Sequence, residues 1–222
     1  MSNIGEIAHL VRLNLGVTAT RLSDSDIIAV YNAHKDSCLS GYEFWFQKVI
    51  VDIPVAAGKY RFSYPDGFIS LVKALRLDTG ETAGTGDFRG VTEQEAARSG
   101  IVDTGTPAML IQDAAGFQLQ NIPDVDIVIR MTYMAKPKAC GKASDTSYLT
   151  TRCSSLLEAF LTYKCASKVG GMMSEAQFHQ NEYAIERDKL LDENNLHVNS
   201  ETDTAARPDG RDAGLAYEGG DL

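Results

Sequence analysis

The segment Val55-Ala-Ala-Gly-Lys-Tyr60-Arg-Phe-Ser-Tyr-Pro65-Asp-Gly-Phe-Ile-Ser70-Leu-Val-Lys-Ala-Leu75-Arg-Leu-Asp78 reads as a short strand, a tight corner and a second strand. Tyr60, Phe62 and Tyr64 alternate with Arg61 and Ser63, which places three rings on one face of an extended chain. Pro65 presets its own φ and Gly67 tolerates positive φ, so Tyr64-Pro-Asp-Gly67 is a turn. Leu71, Lys73, Leu75 and Leu77 then resume a period of two.

Upstream the period is helical. Ile4, Ile7, Ala8 and Val11 share a face, with Gly16 as a stop. A second helix opens at Leu22-Ser23-Asp-Ser-Asp26, where Ser23 caps, Asp26 completes the box and Leu22 staples onto Ile27. Its apolar stripe is Ile27, Ile28, Tyr31, Cys38 and Leu39. From Tyr42 to Pro54 aromatic and β-branched residues predict a strand.

Downstream, Thr79–Gly90 is a glycine-rich surface loop, and Thr92 with Glu95 predicts a short helix over about 92–99. Strands are expected at Met109–Gln112 and Phe117–Gln120, around Ala114-Ala-Gly116, and at Val125–Tyr133, closed by Lys136-Pro137. After the polar Gly141–Ser147 linker the helical spacing returns in Leu157, Phe160, Leu161, Cys165 and Val169, ended by Gly170-Gly171. Ser174 and Gln177 cap a last helix running to about Asn195. Ala176, Tyr183 and Leu190, with Ala184 and Leu191 alongside, predict a narrow stripe against one partner element.

From Leu196 the composition turns polar with no apolar period, which predicts a segment disordered on its own. The expected fold class is therefore α+β. About four helices form a bundle, with an inserted small antiparallel β domain and an extended C-terminal tail. The divisions are residues 1–41 and 141–195 for the two helical pairs, 42–140 for the β domain and 196–222 for the tail.

The 222 residues suffice for one larger domain or two small ones. A net charge of −9 argues against a nucleic-acid reader, yet suits a surface that DNA slides past without sticking. Cys38, Cys140, Cys153 and Cys165 show no C-x-x-C pair, and Met-Ser-Asn-Ile-Gly-Glu is no secretory start, so reduced cysteines and cytosolic synthesis are expected. No apolar run approaches the ~18 residues of a membrane span.

Motifs for chemistry are sparse. His9, His34, His179 and His197 lack ligand spacing, and no G-x-S-x-G elbow is present. Gly84-Thr-Gly86 and Gly58-Lys59 fail the phosphate-loop pattern. The pairs Glu93/Glu95 and Asp124/Asp126 have no companion ligands and read as solvated helix or turn residues. Neither a cofactor nor a metal is expected. The aromatic cluster Tyr42, Phe44, Trp45 and Phe46 lacks the cationic groove of a single-strand binder, so a core or subunit-interface role is expected for it.

The order of these pieces carries a resemblance. Leu22-Ser-Asp-Ser-Asp-Ile-Ile-Ala-Val-Tyr-Asn-Ala-His34 resembles the second-helix motif of tailed-phage head-to-tail adaptor proteins. Ala57-Gly-x-Tyr60-x-Phe62-x-x-Pro65-x-x-Phe68 follows the same family's cadence. Val91–Glu95, Gly105-Thr-Pro107, Ile122-Pro-Asp124, Val125–Tyr133, Lys136-Pro137 and the Leu156–Ala166 helix continue it over roughly Ile4 to Leu191. The Thr79–Gly90 loop is longer than the family pattern, and the tail after Leu196 has no alignable counterpart.

The resemblance implies a structural, non-enzymatic virion protein of the phage neck, assembled in the host cytoplasm. It implies a twelvefold homo-oligomeric ring, portal protein above and tail tube, nozzle or fibre proteins below. Packaged DNA would be retained and later leave through the lumen without sequence-specific binding, and no membrane is involved. The C-terminal segment of relatives reaches the portal, which nominates Arg207, Asp209, Arg211, Leu215, Ala216 and Tyr217 as partner-binding residues. The alternative is a β-domain carbohydrate- or peptide-binding module of a tail or cell surface, built on Tyr42–Phe46 and the glycine-rich loop. A tail-hub hydrolase finds no support in the motifs.

Overall fold

A computed structural model describes residues 2–39, 42–77, 86–87, 89–92, 104–107, 109–169 and 171–205, the side chains of 86–92 and 199–205 excepted. Among these residues the chain is an α+β mixture of five α-helices and two four-stranded sheets.

Helix α1 (Ile4–Leu15) starts where the Asn3 side chain accepts the Glu6 N–H. It ends at Gly16, whose N–H reaches back to the carbonyls of Arg12 and Leu13. Helix α2 (Asp24–Cys38) carries the expected reciprocal box, with the Ser23 hydroxyl accepting the Asp26 N–H and the Asp26 carboxylate accepting the Ser23 N–H. Leu22 and Ile27 are both buried in the same core.

The expected strand over Tyr42–Pro54 begins late. Trp45–Gln47 is a single 3-10 turn, and strand β1 covers only Lys48–Val55. The reason is tertiary: Phe44 is fully buried among the helices, so the chain turns there before it can extend.

Strands β2 (Arg61–Ser63), β3 (Phe68–Leu77), β4 (Gly86–Asp87), β5 (Arg89–Thr92), β6 (Met109–Gln112), β7 (Gly116–Leu119) and β8 (Ile127–Ala135) follow. One sheet has the order β1-β8-β3-β4 and is antiparallel throughout. The other, β2-β7-β6-β5, departs from the antiparallel expectation because β5 and β6 run parallel. β4 and β5 also overturn the reading of Gly86, Asp87, Arg89 and Gly90 as loop, and Thr92 closes β5. The short helix expected near 92–99, with Glu93 and Glu95, lies outside the described residues beyond Thr92.

Two details of the opening segment differ from its reading, and a third holds. The hydrogen-bonded turn is Pro65–Phe68, with the Phe68 N–H on the Pro65 carbonyl and Gly67 at φ +70° in its third position. A side chain there would be strained, so the glycine sets this corner. In β3 the pairing slips at Ile69 and again at Val72, so each is an extra residue opposite β8. The period of two becomes a spacing of three, and Phe68, Leu71 and Ala74 are the residues that meet the β core. Tyr60, Phe62 and Tyr64 do share a face, packed on that same core around Phe117.

β7 is buried on both faces. Gly116 lies so close to the Phe62 carbonyl oxygen that a β-carbon would collide with backbone. β8 alternates cleanly, with Ile127, Ile129, Met131 and Tyr133 turned to the core. It runs two residues later than the Val125–Tyr133 expectation.

After β8, the segment read as a polar linker is tied down. The Asn32 side chain donates to the Cys140 carbonyl at 2.7 Å and accepts the Cys140 N–H at 3.0 Å. Tyr31 donates from its hydroxyl toward the Lys138 carbonyl and the Ser147 hydroxyl. The N–H groups of Ile4 and Gly5 meet the carbonyls of Asp145 and Ala143. Asn32 of the adaptor-like motif thus satisfies backbone that no ladder serves.

Helix α3 (Tyr148–Arg152) was not anticipated. It is capped by Ser147 and separated from α4 (Ser154–Ala166) at Cys153. α4 stops four residues before Gly170, and its Leu157, Phe160, Leu161 and Cys165 are buried as read. Helix α5 (Met173–Ala205) starts one residue before Ser174, whose hydroxyl donates to Glu175 rather than capping. It continues ten residues past Asn195, which removes 196–205 from the expected tail. No glycine or proline interrupts that stretch before Pro208.

Two apolar cores result. α1, α2, α3, α4, Phe44, Cys140 and the inner face of α5 form one. Residues of β1, β3, β6, β7 and β8 form the other.

Candidate assembly interface

The aromatic quartet sits where the helices hand over to β1. Phe44 is in the helical core with Phe46 stacked on it at 5.2 Å, and Phe46 also meets the Tyr148 ring. Trp45 stacks flat on His197 at 4.4 Å, and the Arg152 guanidinium lies over the Trp45 ring, 5.4 Å from its centroid. Tyr42 is 43% exposed, with Arg187 at 6.0 Å from its ring. The four rings therefore do not form one surface, and no aromatic strand displays them. That removes the aromatic strand from the basis of the carbohydrate- or peptide-module alternative; the glycine-rich loop on which it also rested lies mostly outside the described residues.

Two buried amides fix this corner. Asn194 accepts the Trp45 N–H at 3.0 Å and donates to the Glu43 carbonyl at 3.1 Å. Gln47 accepts the Phe44 N–H at 2.7 Å and donates toward the Tyr148 hydroxyl. α5 accordingly packs on α4, through Tyr183 against Phe160, and also on the 3-10 corner, two partners rather than one. Nothing local in the sequence marks Asn194, because its partners lie 149 and 151 positions away.

The nominated tail residues Arg207, Asp209, Arg211, Leu215, Ala216 and Tyr217 lie outside the described residues. All four cysteines are free and buried. Burial pushes the Cys153 thiol up to about 12 and Cys165 to about 11, with Cys38 and Cys140 raised for the same reason. Thiols held that way are poor nucleophiles and act as small core residues. Asp126 accepts the Ala57 N–H, a turn contact. No group of three or more metal-ligating side chains occurs among the described residues, and no described helix is long and apolar enough to cross a membrane.

What the described surface offers instead is helix and sheet faces. Between α1, α4 and α5 runs a groove of about 880 Å³ with carboxylates on its walls and Phe178 and Ile185 at its rim. A smaller one of about 390 Å³ lies where Tyr42, Ile69, Met134 and Pro137 approach from the helical and β parts. Residues 2–210, which take in both cores and all of α5, match the family model described as SU10 adaptor protein. The chain belongs to the SU10 adaptor family. No curated protein matches it.

The SU10 adaptors are phage head-to-tail adaptors, so membership gives this chain a structural role in the virion neck and portal and tail proteins as partners. The matched stretch takes in Arg207 and Asp209, and stops before Arg211, Leu215, Ala216 and Tyr217. It also contains all of α5, including the ten residues that composition assigned to the tail.

Proposed function

We propose that this SU10 adaptor forms a twelvefold ring beneath the portal, joins head to tail, helps retain packaged DNA and leaves a channel for its exit. The observation that carries the reading is the family match across residues 2–210. In this reading the helical core built from 1–41 and 141–195 makes the ring body, and the β unit of 42–140 faces neighbours or tail proteins. The chain acts by binding and carries out no catalysis. It assembles in the host cytoplasm before taking its place in the neck.

Physical features support the DNA channel and the portal contact. A net charge of −9 lets DNA pass with little electrostatic adhesion. Residues 206–222, holding Arg207, Asp209, Arg211, Leu215, Ala216 and Tyr217, are the portal-binding segment. Many copies engaging one portal would multiply a modest single-site affinity by avidity. Truncation belongs after Ala205, because Asn194 and His197 of α5 hold the Trp45 corner.

The test is completion of DNA-filled heads that lack the adaptor. Added full-length chain should bind the portal vertex and restore tail attachment, whereas a chain ending at Ala205 should stay folded and fail to bind. Tail attachment at the full rate without the adaptor would contradict the reading.

A further inference from the structure

The α1–α4–α5 groove is acidic with an apolar rim. Glu158, Glu175, Glu182 and Glu186 line it, against one lysine, Lys189, and His179. Phe178 is 59% exposed and Ile185 56% exposed, two helical turns apart on the outer face of α5. Exposed large apolar side chains rimmed by charge mark contact surfaces. The stripe is not part of the helical core, which takes Ala176, Tyr183 and Leu190 from α5's other face.

Elsewhere on the helical unit the sign reverses. Lys164 lies in the last turn of α4, and the exposed Lys168 follows four positions on, where the N–H groups of Ser167, Lys168 and Val169 still reach back to the carbonyls of Tyr163 and Cys165, so the two side chains stand one helical turn apart. Both lie near His34 of α2, whose protonation burial and then these lysines disfavour. Neither lysine has an ion-pair partner among the described residues; Lys164 rests over the Phe160 and Tyr163 rings.

We propose that these two faces are the two halves of one contact: the groove of one copy receives the His34–Lys164–Lys168 face of the next, with Phe178 and Ile185 covered between them. The inference rests on the ring reading. A contact between unlike patches is head-to-tail, the kind that closes rings rather than two-fold dimers. It also answers an electrostatic difficulty. Copies of net charge −9 repel one another, so a ring needs local opposite patches at each junction.

The experiment is native mass spectrometry and sedimentation of the full chain with portal-bearing particles, at about 0.1 M salt, where screening leaves contact-range charges effective. Wild type, E182K/E186K, K164E/K168E and an equal mixture of the two variants are compared. Each double variant alone should lose its oligomer, since groove and patch then carry the same sign. The mixture should regain it as alternating copies, because each junction again joins opposite signs.

Helix content by circular dichroism is compared throughout. Should K164E/K168E lose it through the ring contacts of Lys164, Lys168→Glu alone tests the patch, and Phe178→Ser with Ile185→Ser tests the rim. Both are expected to lower assembly at least tenfold. Full assembly of either charge variant, or no recovery in the mixture of folded variants, would overturn this contact while leaving the ring standing. A monomeric wild type would remove the ring and the contact together.

Discussion

Asn194, two-thirds of the way along the 33-residue helix α5, accepts the backbone N–H of Trp45 at 3.0 Å and so pins the corner where the helical core gives way to β1. The same side chain donates to the carbonyl of Glu43, so one amide serves two backbone groups outside any ladder. Asn194→Ala should lower unfolding free energy by about 2 kcal/mol, the cost of leaving buried polar groups unpaired. Urea denaturation checks this, and Asn194→Asp, which keeps only the acceptor, should fall between. A variant as stable as wild type would show that the corner is held by packing alone.

The α2 box gives an acid-dependent prediction. Hydrogen bonds from the Ser23 hydroxyl, then from its backbone N–H, hold the Asp26 carboxyl below its ordinary value of 3.8. The unfolded chain binds the proton more readily, so this stability is present above 3.8 and is lost as pH falls through the folded value. Ser23→Ala should cost about 1 kcal/mol at neutral pH. Its deficit should shrink in strong acid, as read by thermal unfolding across pH.

His34 acts in a higher window. Burial, then Lys164 and Lys168, lower its pKa from the ordinary 6.5. The unfolded state again takes the proton first, so stability is full above 6.5 and declines as pH falls from there through the folded value. His34→Asn should flatten the stability profile in that window and leave it unchanged at pH 8. An unaltered profile would place the loss on another group.

How far the sequence disclosed these features depends on range. The Ser23–Asp26 box, the Gly16 stop and the alternation in β8 are local patterns, and their positions were legible to within a residue or two. The 3-10 turn at Trp45 was not, because the burial of Phe44 and the bond to Asn194 outweighed strand propensity. The slips at Ile69 and Val72 follow from pairing with β8, which no pattern within β3 encodes. The α5 extension was missed for the opposite reason: its residues are polar, yet nothing breaks the helix before Pro208. The groove went unnoticed because Glu158 lies on α4, apart in sequence from Phe178 and Ile185 of α5.

Gly116 tests the pairing of β2 with β7. A β-carbon there would collide with the Phe62 carbonyl oxygen, and backbone rather than a flexible side chain must move. Gly116→Ala should destabilise by about 2 kcal/mol through overpacking. Hydrogen exchange should rise first at Arg61–Ser63 and Phe117–Leu119, leaving α1 and α2 unchanged. Uniform loss of protection would mean that the β unit and the helices unfold together.

The four thiols report on the helical core. Cys38, Cys140, Cys153 and Cys165 are buried and free, so native protein should resist alkylation at pH 8 and react at all four sites once denatured. Rapid labelling of any one in native protein would contradict its burial.

The central claim, a neck ring joining head to tail, is tested most directly by counting copies of this chain on portal-bearing particles by native mass spectrometry or electron microscopy. One closed ring of twelve copies at the portal vertex is expected. A single bound copy, or a chain that stays monomeric with saturating portal present, would contradict it.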